Sequence, residues 1–241
     1  MPQLYGINWP ELPPAYGDGT NQLVRTNKYG EIITEQRSFG GAHGLAGEGQ
    51  YFKSMLVLGT AAVALSGTSQ GAFVTTTPTI SIRNSNGAAG KSLFLDYVRI
   101  NVEAAAATTP TRCEGAVTTD STTRYSSGGS ALTNYNVNVA SATTSGAVCH
   151  GGAIAATNAT GTTQSRFVIS SSNPAAGGTL VMTFGNIVMS TLSDNCLGYV
   201  ACPPIVLPPN VNATCLIYLW WPGLSAGTAA TGDFEVAFWE R

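Results

Sequence analysis

Residues 90–103, GKSLFLDYVRINVE, decide how the rest of the chain is read. Leu93 and Leu95 alternate with Ser92 and Phe94, while Val98, Ile100 and Val102 alternate with Tyr97, Arg99, Asn101 and Glu103. The inward parity therefore changes near Asp96 and Tyr97, which a β-strand accommodates by carrying a bulge there. Wound as a helix, the same residues scatter Phe94, Asp96, Arg99 and Glu103 over several faces, and the Val and Ile content favours a pleated backbone. The expectation is a central strand.

Working outward, strands are expected upstream at 51–58, 61–65, 72–77 and 79–83. Downstream they are expected at 122–125, 133–139, 147–155, 166–171, 179–184, 186–189, 214–220 and 233–240, with a turn at 126–130. Short strands at regular spacing, separated by Gly, Ser, Asn and Pro, indicate an all-β fold, a jelly-roll-like β-sandwich. The sandwich is placed over residues 21–241 and begins with a hairpin at 22–36, turning at Asn27-Lys28-Tyr29-Gly30. Residues 214–221, TCLIYLWW, are apolar on both faces, which suggests a strand covered on both sides, one cover being another subunit.

Residues 1–20 read as an extended arm, since Pro10, Pro13 and Pro14 bar a helix. Tyr5, Ile7, Trp9, Leu12 and Tyr16 are too apolar for a solvated tail, so the arm either folds back on its own domain or docks on a neighbour. The candidate residues for contact with a neighbouring subunit or another protein surface are Tyr5, Trp9, Tyr16, Trp220 and Trp221.

Only 10% of the 241 residues are charged, against about 25% in ordinary soluble domains. Much of the surface must then be small and neutral, which suits contact with other subunits. The net charge of −2 and the absence of Lys/Arg clusters argue against a nucleic-acid partner. The N-terminus has no basic or apolar segment of the secretory kind, so synthesis in a cytoplasm is expected. The most hydrophobic run, 55–65, is shorter than the about 20 residues a membrane helix needs, and no membrane partner is expected. The five cysteines, at 113, 149, 196, 202 and 215, contain no CxxC pair. Free thiols are expected, the alternative being a small loop closed between Cys196 and Cys202.

No catalytic motif is present. His43 and His150 lie in neither GxSxG nor HExxH, and two isolated histidines make no zinc site. Asp96, Glu103, Asp120 and Asp194 could supply a hydrolytic carboxylate pair, but they read as turn and surface residues. The expectation is a non-enzyme without metal or cofactor.

Four segments together, GDGTNQLVRTNKYGEIITEQ (17–36), GKSLFLDYVRINV (90–102), RYSSGGSALTNYNVN (124–138) and FEVAFWER (234–241), resemble structural proteins of tailed-bacteriophage virions, particularly β-sandwich head-decoration (cement) proteins. The resemblance implies a virion component on the head surface. Its partners would be the major capsid protein and neighbouring copies of itself, as a homodimer or homotrimer. The alternative is a tail-fibre or receptor-binding sandwich recognising host-surface carbohydrate, which an exposed Trp220, Trp221 or Trp239 in a shallow groove would favour.

Overall fold

The computed structural model describes residues 45–57, 60–65, 71–87, 90–104, 112–157, 161–169, 176–185, 196–209, 211–222 and 230–241. All belong to Gly41–Arg241, one of the two units into which the chain divides, the other being Met1–Gly40. The arm, the 22–36 hairpin and the strand expected at 186–189 lie outside the described residues.

Eight strands carry the architecture. The first sheet is ordered β9 (Thr179–Phe184), β4 (Leu93–Ala104), β13 (Thr231–Glu240), β1 (Tyr51–Met55), and the second β3 (Ile80–Asn84), β12 (Thr214–Trp220), β5 (Cys113–Asp120), β8 (Thr162–Ile169). Counted in chain order, the first of the eight pairs with the last, the second with the seventh, the third with the sixth and the fourth with the fifth, all antiparallel. This nested pairing is the jelly roll. An inserted hairpin, β6 (Tyr125–Asn136) and β7 (Ala147–Ala156), joins the sheets along one side: Thr133–Asn136 pairs with β1, Tyr125–Leu132 with β7, and β7 with β3. On the other side β10 (Cys196–Cys202) adds in parallel to β9 and lies beside β8, which nearly closes the circuit. Two short pieces complete it, β2 (Val63–Ala64) on β13 and β11 (Val206–Leu207) on β4.

The expected bulge in the central strand is present. Along β13 the partner of Ala237 is Tyr97 and that of Phe238 is Leu95, so Asp96 is the extra residue. A second step at the far end, from Val102 opposite Gly232 to Ala104 opposite Thr231, leaves Glu103 as another. The alternation follows: Leu93, Leu95, Val98, Ile100 and Val102 are buried between the sheets. They meet Phe52, Phe234 and Phe238 from β1 and β13 and Ile80, Ile82, Cys149, Cys215 and Ile217 from the other sheet. Burying each of the large side chains is worth about 1.5–3 kcal/mol over leaving it in water.

The outer face of β12 is buried as well, and the cover comes from this chain. Phe73 packs on Tyr218 at 5.1 Å and on Trp220 at 5.3 Å between ring centroids. Tyr218 Oη donates to the Thr75 carbonyl at 2.9 Å, and Ala156 N to the Thr76 carbonyl at 2.8 Å. Residues 72–77 are thus turns and bends lying over a sheet, where the sequence suggested a strand. The reason is that a single strand length of Val and Thr has no free ladder here, since β12 is already paired on both edges. Likewise 126–130 is no turn. β6 runs through it, with Gly128 and Gly129 at φ +78° and +68° and register shifts against β7 on either side. The bulged glycines let the far end of the hairpin curl until Ala156 joins Ala116, Leu216, Tyr218 and Trp220 in a second small core. Three strands escape the sequence reading, β5, β10 and the two-residue β11; in β5, CEGAVTTD, Gly, Ala and Thr carry little apolar signal.

Cys113, Cys149, Cys202 and Cys215 are free and buried. Cys196 and Cys202 stand at opposite ends of β10, which sets their backbones about 20 Å apart, well beyond the roughly 7 Å a disulfide spans. The loop-closing alternative is therefore excluded by extension of the strand.

Candidate functional site

The outer face of the first sheet is where a chain poor in charge gathers it. Period-two alternation puts Tyr51, Lys53 and Met55 of β1 on this face. β13 adds Trp239, Ala237, Glu235 and Asp233 opposite them, and β4 adds Phe94, Tyr97, Arg99, Asn101 and Glu103. Tyr135 of β6 stands beside Lys53 and is exposed. At one end Trp239 stacks between Tyr51, 6.5 Å away, and Phe94, 6.0 Å away. These rings face one another, so the row acts as a cross-strand ladder that binds three strands together. Asp96, put out of register by its bulge, accepts from Tyr51 Oη at 2.6 Å. Burial and that carboxylate together push the Tyr51 hydroxyl's pKa upward.

At the centre Glu235, buried to 5% exposure, is the hub. Lys53 Nζ lies 2.7 Å from Oε1, Tyr97 Oη donates to the same oxygen, and Arg99 Nη2 pairs with Oε2. Burial alone would raise the Glu235 pKa, but the hydrogen bonds from Lys53 and Tyr97 and the Arg99 and Lys53 charges outweigh it and hold it below the usual carboxylate range. Lys53 shows the reciprocal balance: burial pulls its pKa down, and Glu235 and Tyr97 raise it on balance.

Beyond the hub lies an open cleft of about 500 Å³. One wall is apolar, made by Met55, Leu56 and Val57, the last 49% exposed. The floor is polar, with Arg99, Asn101, Glu103, Asp233 and Glu235 on two adjacent strands. The Glu103 and Asp233 carboxyls hydrogen-bond to each other, and that bond, reinforced by the Asp233 charge, raises the Glu103 pKa. Asn101 Oδ1 accepts from Thr179 Oγ1 at 3.1 Å.

Of the residues singled out in the sequence, Tyr5, Trp9 and Tyr16 lie outside the described residues. Trp220 and Trp221 are 5% and 3% exposed within a single chain. Their apolar area is covered by the chain's own Phe73 segment and main core, so the second cover of β12 is not a neighbouring subunit. Trp239 is half-buried in the aromatic row. Asp120 accepts from Thr122 N at 3.1 Å and pairs with Arg124 at 3.4 Å, as a turn residue should. Glu103 lies on the cleft floor beside Asp233, whose hydrogen bond and charge raise its pKa. Asp194 and His43 lie outside the described residues. His150 stacks on Tyr125 at 4.0 Å, and burial together with the Arg83 charge lowers its pKa. Among the described residues no three His, Cys, Asp or Glu side chains are grouped to hold a metal, and no helix is long and apolar enough to cross a membrane.

The hub residues Lys53, Tyr97, Arg99 and Glu235 escaped the sequence reading as a group. Alternation already placed Glu235, Ala237 and Trp239 on one face, but the pairing of β13 with β1 and with β4 joins strands about 180 and about 140 residues apart in sequence, respectively, which no local pattern encodes. No protein-family model, curated protein or solved structure matches the chain.

Proposed function

We propose that this protein is a non-enzymatic structural component of a virion, a decoration or cement protein that binds the major capsid shell and neighbouring copies of itself on the head surface. The observation that carries the reading is the strand order, a jelly roll of the kind used by viral capsid and lectin domains. Fold alone hosts many functions, so composition and the arm add their weight. Three features support a body built for packing against protein: a composition poor in charge, an N-terminal segment rich in aromatic residues and proline, and a strand β13 paired on both edges at the sheet centre. Shell contact is assigned to Tyr5, Trp9 and Tyr16. Trp220 and Trp221 serve instead as interior packing, and self-association into a dimer or trimer rests on the neutral surface alone.

The test has two parts. Quantitative mass spectrometry of purified particles should find the chain in a fixed ratio to the major shell protein. The chain lacking residues 2–20 should fold, with an unchanged β-type circular dichroism spectrum, yet fail to cosediment with undecorated shells. Absence from the particles overturns the reading, and undiminished cosedimentation of the truncated chain overturns the assignment of the arm.

A further inference from the structure

We infer that the cleft at the β4–β13 end of the first sheet is a binding site for an uncharged pyranose sugar. The inference goes beyond the structural reading and does not depend on it. A pyranose ring has an apolar C–H face and a rim of hydroxyls, each both donor and acceptor. The cleft repeats that division: Met55, Leu56 and Val57 form a hydrocarbon wall, and Asn101, Glu103 and Asp233 form a floor of hydrogen-bonding groups. The Glu103 and Asp233 carboxylates offer several acceptor lone pairs on adjacent strands, which neighbouring sugar hydroxyls can donate to. With Oδ1 of Asn101 engaged by Thr179, Nδ2 remains as its donor end. A volume of about 500 Å³ is of the size of small-molecule sites.

Charge selects the class of sugar. Lys53 and Arg99 are both paired with Glu235, and of the two only Arg99 lines the cleft, where it faces three carboxylates, Glu103, Asp233 and Glu235. An acidic sugar or a phosphate would meet an excess of carboxylates and a guanidinium already paired with Glu235, so the site discriminates against anions. The β-bulge at Glu103 supports a built feature, since it adds one residue to β4 at the point where the strand reaches the cleft.

The experiment is saturation-transfer NMR on the full chain in chelator-containing buffer, with methyl β-galactoside, methyl α-glucoside and N-acetylglucosamine as neutral probes, sialic acid as the acidic probe and putrescine as the cationic one. At least one neutral pyranoside should receive saturation, sialic acid should not, and putrescine should not displace the sugar. Glu103→Gln and Asn101→Ala, each checked for an unchanged melting temperature, should weaken the sugar at least about tenfold. The proposal fails if no neutral probe binds at about 10 mM, if sialic acid or putrescine takes the site instead, or if both variants bind as the parent does. Purified protein without particles is used, so this outcome is separate from that of the virion test.

Discussion

At the scale of single residues, two positions translate directly into measurable stability. Gly151 of β7 faces the core where Phe234 crosses from the opposite sheet, and a Cβ there would sit 2.5 Å from the Phe234 ring. The ring belongs to a fully packed core and cannot swing away, so Gly151→Ala should cost about 1–3 kcal/mol, read as a lower urea midpoint with an unchanged slope. Glu235 and Glu103 give opposite pH dependences. The folded Glu235 pKa lies below the unfolded value of about 4.3, so its stabilisation is complete above that value and lost as pH falls through the folded pKa. The folded Glu103 pKa lies above its unfolded value, so its contribution is present at low pH and lost as pH rises through the folded pKa. Between about pH 5 and pH 3, Glu235→Gln should flatten the acid loss of stability, whereas Glu103→Gln should steepen it. Identical acid profiles for the two variants would contradict both assignments.

At the scale of elements, the cover over β12 is the informative case. A seven-residue strand buried on both faces is compatible with a subunit interface or with an internal third layer, and Phe73 shows it is the latter. Phe73→Ala should remove that lid, cost about 1–2 kcal/mol because the ring is 43% exposed, and shift Trp220 emission to the red. A change in oligomeric state instead, with emission unaltered, would return β12 to the interface. The central strand illustrates the converse. Its bulge at Asp96 was legible because a change of parity in a run of Leu, Val and Ile has one pleated explanation.

For the whole molecule, the thiols and the arm report on the fold together. Burial pushes the Cys113 and Cys149 pKa values up to about 12, and that of Cys215 is raised by the same burial. These three should resist alkylation in the native protein and react at once in denaturant without reductant. Rapid native labelling at Cys149 would mean that the two sheets separate on the time scale of the reaction. Removing residues 2–20 should leave this protection intact, because Cys113, Cys149 and Cys215 are buried within the Gly41–Arg241 unit.

What the chain determines by itself is local: which residues alternate, where parity breaks, and that a neutral, strand-rich sequence makes an all-β sandwich. The strands at 179–184 and 214–220 are legible to the residue for that reason, since β-branched and aromatic runs bounded by Gly and Asn have few other conformations. Strands made of Thr, Gly and Ala, such as β5, are not, because their burial comes from partners and not from their own side chains. The tertiary structure alone decided the rest. It paired the first strand with the last, which created the Glu235 hub and the cleft beside it, and it folded residues 72–77 over Trp220. Both depend on contacts between residues more than a hundred positions apart, whose free energy appears only when the whole sandwich closes.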